Sequence, residues 1–293
     1  MNIALFGKKS TEVIIPYIQQ LINKLESAGI KIIIYEPFLH SIKPFINFNT
    51  DITVFNTHKE LKNNVDFLFS IGGDGTLLNT VILVRDFGIP ILGINLGRLG
   101  FLSSVSKDEI IPAIDNIIKG NYTLDQRALL KLKTPDNLFG DINYALNELT
   151  INRKDSTSLI VINVYIDNQI LNSYWADGLI VATPTGSTAY SLSCGGPIIT
   201  PGSKNFVITP IATHNLTVRP FVISDNNIIK INIKGKNEQF LVSLDSRTVT
   251  IDSSIELVIE KEKFKINLVQ MPNKNFFTTI RDKLKWGLDF RNK

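Results

Sequence analysis

Val65-Asp66-Phe67-Leu68-Phe69-Ser70-Ile71-Gly72-Gly73-Asp74-Gly75-Thr76 starts as an apolar strand and ends in a glycine-rich turn around one acid. Val65 to Ile71 reads as a buried strand, and apolar residues at helical spacing follow from about Thr76 to Phe87. The same unit recurs on both sides. Upstream, Ile3 to Phe6 is a short apolar run ended by Gly7. A segment from about Ser10 to Ala28 then carries Ile14, Ile18, Leu21 and Leu25 at helical spacing, with Gly29 just past its end. Ile30 to Tyr35 is a further buried-type strand. Downstream come a strand from Ile89 to Ile94 and a helix from about Lys107 to Lys119. Strands separated by helices of this length predict an α/β domain with a doubly wound parallel sheet, over residues 1–125.

The pattern changes after about Asn121. Short strands are read at Ala128 to Leu132, Leu149 to Asn152, Ile160 to Ile166, Gly178 to Ala182 and Phe206 to Ile211. More follow at Ile228 to Ile233, Phe240 to Leu244, Ile255 to Ile259 and Phe264 to Leu268. Turn residues such as Asp167-Asn168, Asp225-Asn226-Asn227 and Lys234-Gly235-Lys236 separate them. The expectation is an all-β, sandwich-like domain over residues 126–271, interrupted by a Pro/Gly/Ser/Thr-rich insert from Thr183 to Ser203. Phe276, Phe277, Ile280 and Leu284 return to helical spacing, so residues 272–293 are expected to form a C-terminal helix packed back on the N-terminal domain. A length of 293 residues suits two domains at roughly 150 residues each.

Composition narrows the function. The chain carries 31 Lys+Arg against 27 Asp+Glu, a net charge of +4, with no block of five or six like charges. No basic stripe for nucleic acid is visible. A single cysteine, Cys194, leaves no internal disulfide and no Cys-rich metal site, and it points to a reducing compartment. His40, His58 and His214 are too scattered for a histidine metal cage. The longest uncharged stretch, between Asp177 and Lys204, is too rich in Gly, Pro, Ser and Thr for a spanning helix. A cytoplasmic protein without nucleic-acid or membrane partners is expected.

The chemistry gathers at a few points. The turn Gly72 to Thr76 stands at the edge where open α/β sheets bind ligands. Its glycines let the backbone approach a phosphate, and the helix start supplies N–H groups and partial positive charge. Asp74 itself would repel a phosphate; there it orients or deprotonates a hydroxyl, or holds a cation that bridges to phosphate. Neither G-x-x-x-x-G-K-[ST] nor G-x-G-x-x-G is present; Gly7-Lys8-Lys9-Ser10 has only the last half of the first. Asn95-Leu96-Gly97-Arg98-Leu99-Gly100-Phe101 follows another strand end of the same sheet. Asn147-Glu148 and Asp177-Gly178 stand at strand entries, and Thr183 to Ser191 offers hydroxyls and one aromatic, suited to a ribose or adenine.

In combination these residues resemble the NAD kinases. The likeness rests on Gly72 to Thr76, Asn95 to Phe101, Asn147-Glu148 and Asp177 through Tyr190, with its Thr183-Pro184-Thr185-Gly186-Ser187-Thr188-Ala189-Tyr190 core. It continues through Gly195-Gly196-Pro197, Arg219-Pro220 and Arg281-Asp282-Lys283-Leu284-Lys285-Trp286-Gly287, and so spans nearly the whole chain. The resemblance implies an α/β N-terminal and a β-sandwich C-terminal domain. It implies transfer of the γ-phosphoryl group of ATP to the 2′-hydroxyl of the adenosine ribose of NAD, with Mg²⁺ or another divalent cation. Asp74 is then the catalytic acid on that hydroxyl, and Gly72, Gly73 and Gly75 cradle phosphates. Asn147, Glu148, Asp177, Thr188, Ala189, Tyr190 and Ser193 line the NAD pocket, with Ala212 near it. Thr76, Phe101, Thr185 and Ser187 complete the substrate-binding set, and no residue is assigned to the metal. Homo-oligomers, dimers or tetramers, are usual in the family.

Two positions depart from that pattern. Trp175 stands where a basic residue is frequent, two before Asp177, and Arg247 follows Asp245-Ser246 where a glutamine is common. Two other readings compete: a lipid or sugar kinase on the same N-terminal scaffold, and a non-catalytic sensor of NAD or NADP. The polar loop from Thr183 to Ser193 speaks against a lipid channel, and an acid beside phosphates speaks against a pure binder.

Overall fold

The computed structural model describes residues 1–8, 12–97, 100–134, 138–154, 159–234, 239–272 and 274–286. The chain divides into two units, Met1–Gln126 with Ile266–Lys293, and Arg127–Lys265.

The first unit alternates strand and helix: β1 (Asn2–Gly7), α1 (Ile15–Ser27), β2 (Lys31–Tyr35), α2 (Glu36–Ile42), β3 (Thr53–Phe55), α3 (His58–Leu61), β4 (Phe67–Ile71), α4 (Asp74–Val84), β5 (Ile91–Asn95), β6 (Val105–Ser106) and α5 (Ile110–Ile118). The five strands β5-β4-β1-β2-β3 lie side by side in that order, all parallel. Ile3, Leu5, Ile32, Ile34, Phe69 and Leu92 face one core, where α1 and α5 bury Ile18, Leu21, Leu25, Ile114 and Ile117. Ala4, Ile33, Leu68 and Ile91 alternate to the other face, the side on which Leu77 of α4 approaches Gly93 of β5. The sheet is doubly wound. Helix α1 ends where Gly29 adopts φ +66°, a conformation that suits the residue just past a helix. Helices α2 and α3 escape a periodicity search because they are so short; Pro37 in the first turn of one and a Thr57–Glu60 capping box in the other begin them.

The second unit is antiparallel. Its strands are β7 (Thr123–Lys133), which starts in the first unit, β8 (Tyr144–Ala145), β9 (Glu148–Arg153), β10 (Ile160–Ile166), β11 (Gln169–Ala176) and β12 (Gly178–Ala182). After the short helix α6 (Tyr190–Ser193) come β13 (Asn205–Ile211), β14 (Phe221–Ser224), β15 (Ile229–Lys234), β16 (Gln239–Leu244), β17 (Arg247–Asp252) and β18 (Leu257–Gln270). One sheet has the order β14-β13-β12-β9-β16-β17, and β11-β10-β15-β18 form the other. Leu149, Ile151, Leu179, Val181, Phe206 and Val242 from the first meet Ile160, Ile162, Val164, Tyr174, Ile231 and Ile259 from the second in one core. That is a β-sandwich.

Three differences from the sequence reading have plain causes. The expected strands Ile255 to Ile259 and Phe264 to Leu268 are one strand, β18. The intervening Glu260-Lys261-Glu262 breaks the apolar pattern, but each charge finds a partner: Lys133 for Glu260 at 3.7 Å, Lys131 for Glu262 at 3.8 Å and Asp225 for Lys261 at 2.5 Å. Strand β11 went unread because Gln169, Asn172 and Ser173 give it a polar composition; the Asp167-Asn168 turn, both residues at positive φ, folds it onto β10. Helix α4 starts at Asp74, two residues before the expected Thr76, because Gly73 takes the cap position. Gly235 and Lys236 of the expected turn lie outside the described residues.

Strand β18 carries the chain back into the first unit, where Leu268 pairs with Ile91 of β5 in parallel. Helix α7 (Phe276–Leu284) follows and buries Ile280.

Candidate active site

In the first unit the three glycines of the turn differ in what surrounds them. Gly72 has φ +146°, and a Cβ there would lie 2.4 Å from the Thr76 hydroxyl. The turn therefore closes tightly on the first turn of α4, and Thr76 is buried beneath it. Gly73 and Gly75 have ordinary φ, and a Cβ at either would meet nothing within 4 Å. No neighbour among the described residues requires a glycine at these two places.

Asp74, the first residue of α4, is half-buried and tightly held. Its Oδ2 accepts the N–H of Phe101 at 2.8 Å, and its Oδ1 accepts those of Leu102 and Ser103, both at 3.1 Å. The Ser103 hydroxyl donates back to the Gly72 carbonyl at 3.2 Å. Gly100 permits this approach, because a Cβ there would stand 1.8 Å from Asp74 Oδ1. The loop after β5 thus closes over the carboxylate, with Asn95 Oδ1 accepting the Gly97 N–H at 2.9 Å at its start. Arg98 and Leu99 of this motif lie outside the described residues, as does Gly287 of the tail motif. Phe101 is half-buried, and Lys283 of α7 stands 5.9 Å from its ring centre.

In the second unit the insert folds onto the entry of β9. Thr183 is fully buried; its hydroxyl donates to the Leu146 carbonyl at 2.6 Å, and its N–H donates to the Asn147 carbonyl at 2.8 Å. Gly186 lies flush on the same segment, since a Cβ there would be 2.1 Å from the Asn147 carbonyl oxygen. Ser187 is buried, donating to the Pro184 and Ile199 carbonyls and accepting the Ile199 N–H at 2.9 Å. Thr185 is buried as well, its hydroxyl accepting from Arg127 at 3.3 Å. Thr188 and Ala189 are half-buried, whereas Tyr190, Ser193 and Ala212 are exposed. Burial and the adjacent Cys194 hold the Tyr190 phenol above its ordinary range. Ala212 adopts φ +46°, rare for a residue with a Cβ.

Asn147 and Glu148 are only 8% and 9% exposed, yet Asn147 Oδ1 and Glu148 Oε2 have no hydrogen-bond partner among the described residues. Buried polar atoms without partners are uncommon and call for an explanation, a ligand being one. Burial first, and then the neighbouring Asp245 carboxylate, push the Glu148 pKa up to about 8. Asp177 pairs with Arg153 at 3.0 Å. This answers the departure at Trp175: the basic partner comes from β9, which lies beside β12 with Asn152 opposite Gly178. Trp175 is exposed, and its carbonyl accepts the His214 N–H at 2.8 Å.

Within each unit, then, the expected residues are brought together: Gly72 to Thr76 with Phe101 in the first, Asn147 and Glu148 with Thr185 to Thr188 in the second. Sequence reasoning put the Asn95 to Phe101 loop at the sheet edge of Asp74 and singled out Thr183 to Tyr190. It did not find that Gly100 admits the Asp74 carboxylate, nor Ser103, Arg127 and Arg153, nor that Thr183 and Asp245 hold the Asn147 segment. These partnerships have no local sequence signal, because each joins segments remote along the chain. Among the described residues no group of three His, Cys, Asp or Glu is placed to hold a metal ion, and no helix is long and apolar enough to cross a membrane.

Comparison with known proteins identifies the family. Residues 6–122 match the ATP-NAD kinase N-terminal domain and residues 146–271 the ATP-NAD kinase C-terminal domain. The chain is 47% identical over 293 residues to the NAD kinase of Cytophaga hutchinsonii, covering 100% of both. Its structure is similar to that of a yeast NADH kinase complexed with NADH, with a TM-score of 0.89 at 26% identity, over 100% of this chain and 90% of that one. An NAD kinase from Archaeoglobus fulgidus in complex with ATP is similar with a TM-score of 0.74 at 25% identity, over 97% and 99% of the two chains. On full-length sequence similarity and on fold alike, the chain belongs to the ATP-NAD kinase family.

Proposed function

We propose that this protein is an NAD kinase that moves the γ-phosphoryl group of ATP to the 2′-hydroxyl of the adenosine ribose of NAD, giving NADP and ADP. The observation that carries the chemical role is the hydrogen-bond count on Asp74. A carboxylate has about four acceptor sites. Oδ1 uses two, on Leu102 and Ser103, and Oδ2 uses one, on Phe101. Among the described residues one site remains, on Oδ2, on a side chain that three backbone N–H groups hold in place. That suits the binding and aiming of one hydroxyl.

Phosphoryl transfer has a loose transition state, so positioning and charge neutralisation supply most of the catalysis. The ribose oxygen attacks the γ-phosphorus, the bond from that phosphorus to the β,γ-bridging oxygen breaks, and ADP leaves. The hydroxyl proton passes to Asp74 late, as the new bond forms, because an ordinary aspartate is a weak base for an alcohol. Gly73 and Gly75 give the phosphates room beside the start of α4, where N–H groups and the helix dipole favour anions. A divalent cation enters with the triphosphate as part of the substrate. No group of three His, Cys, Asp or Glu among the described residues is placed to cage it, so no residue is assigned to it.

The second unit receives the dinucleotide. Asn147 Oδ1 accepts from its hydroxyl or amide groups, Glu148 Oε2 accepts from them or, protonated, donates to them, and the exposed Tyr190 ring offers a stacking face. Asp177, Thr188, Ala189, Ser193 and Ala212 border the same ligand, while Thr185 and Ser187 act mainly by holding the loop. The phosphate function belongs to residues 1–125 with the tail 272–293, and the dinucleotide function to residues 126–271. The lone Cys194 suits the cytoplasm. Exposed Leu216, Phe221 and Val222 suit a contact between copies, and the protein is assigned as a homo-oligomer, a dimer or tetramer.

Incubation of the pure protein with ATP, Mg²⁺ and NAD, followed by an assay for NADP, tests the reaction; no NADP would refute it. Asp74→Asn should retain NAD binding and lose about 10²- to 10⁴-fold in kcat. A wild-type kcat in that variant would remove Asp74 from the mechanism.

A further inference from the structure

The turn from β16 into β17, Asp245-Ser246-Arg247, belongs to neither substrate-binding set, yet it holds one of them. Asp245 sits at φ +51° and is half-buried. Its Oδ2 accepts the N–H of Leu146 at 2.9 Å, and its Oδ1 accepts those of Asn147 at 2.9 Å and Glu148 at 3.2 Å. Its own N–H donates to the Glu148 carbonyl at 3.0 Å. Two residues on, the Arg247 guanidinium donates to the carbonyls of Ile142 and Tyr144 and stands 5.8 Å from the Phe139 ring centre.

We infer that Asp245 and Arg247 are positioning residues for the dinucleotide: they clamp the segment 139–148 so that Asn147 and Glu148 present their unpaired oxygens to it. This rests on the reading of Asn147 and Glu148 as NAD contacts. Three successive N–H groups that converge on one carboxylate cannot all be satisfied by a strand ladder, and without that carboxylate they would be buried orphans. Charge-assisted bonds of this kind are stronger than neutral ones, and together they define the backbone from which the two side chains project. Arg247 anchors the preceding residues and supplies a positive charge toward Asp245. A glutamine would supply no such charge, so the departure at this position is a working part of the clamp.

Asp245→Asn is the direct test. Its amide offers one acceptor oxygen, and its NH₂ faces at least one of the three N–H groups, donor to donor. The expected result is an NAD KM raised about tenfold or more, with kcat and the ATP KM within about twofold of wild type. Amide exchange at Leu146, Asn147 and Glu148 should accelerate while that of β12 stays slow. Arg247→Gln should raise the NAD KM about threefold and leave the ATP KM unchanged. A folded Asp245→Asn with the wild-type NAD KM would overturn the clamp, and so would a proportionate loss in kcat and both KM values, as expected of general destabilisation. Should Asp245→Asn not fold, Arg247→Gln decides, and an unchanged NAD KM overturns the inference. If the wild-type protein forms NADP while these variants bind NAD normally, only the clamp fails. If the wild type forms none, the kinase reading fails and takes the clamp with it.

Discussion

Asp74 and Asp245 make the same bonds in different surroundings. In each, Oδ1 takes two backbone N–H groups and Oδ2 takes one, from three consecutive residues. Both are half-buried; among the described residues Asp74 keeps one acceptor site on Oδ2, whereas Asp245 stands beside Glu148 and Arg247. The second arrangement has a pH signature. Glu148 is raised to about 8 by burial and then by Asp245, so across the window from the ordinary carboxylate range to about pH 8 the folded chain binds a proton that the unfolded chain has released. Stability therefore falls as pH rises through that window, by at most about 1.4 kcal/mol per pH unit, and levels off above it. Glu148→Gln lacks this slope. Thermal melts at pH 6 and pH 9 should show the variant gaining on wild type at the higher pH, and parallel melting curves would count against a buried, protonated Glu148. In the sequence Glu148 reads only as a polar strand entry, because the like charge that perturbs it stands 97 residues later.

The start of α4 separates two uses of glycine. Gly75 lies in the first turn of the helix with open space where a Cβ would go. Gly75→Ala should raise stability by about 0.5–1 kcal/mol, because alanine favours a helix, while raising the ATP KM about tenfold through lost room for phosphate. A stabilised variant with an unchanged ATP KM would show that the open space serves no ligand. Gly186 is the opposite case: its missing Cβ seats the 3-10 turn on the Asn147 backbone. Gly186→Ala should cost about 1–3 kcal/mol and weaken NAD binding with it, measurable by denaturant titration and calorimetry. The sequence singled out both stretches, Gly72 to Thr76 and Thr183 to Tyr190, as candidates. Which glycine makes room for a ligand and which for the chain's own backbone was not legible, since both look alike without neighbours.

The first unit is discontinuous, and this shapes how the chain folds. Residues 1–126 lack Leu268, the β5 partner, together with Val269, Met271 and Ile280, all buried in that unit. A fragment ending at Gln126 should melt less cooperatively, by circular dichroism, than one in which a short linker joins Gln126 to Ile266–Lys293. Equal cooperativity would mean that the tail adds nothing to that core. Exposed Leu216, at 88%, and the exposed pair Phe221 and Val222 on the outer strand β14 bear on assembly. Sedimentation of the wild type against Phe221→Glu should show a smaller species for the variant if this edge joins copies.

Local pattern was enough for the alternation of β1 to β5 with their helices, for the antiparallel run that follows, and for the motifs that carry the chemistry. Periodicity and turn residues are properties of neighbours in the chain, so they survive without coordinates. The strength with which Asp74 is gripped, the orphaned oxygens of Asn147 and Glu148, the pairing of Asp177 with Arg153 and the Asp245–Arg247 clamp came only with tertiary structure. Each joins residues 24 to 105 positions apart. Hydrogen bonds and burial over such separations depend on which strands lie side by side, and no spacing along the chain encodes that.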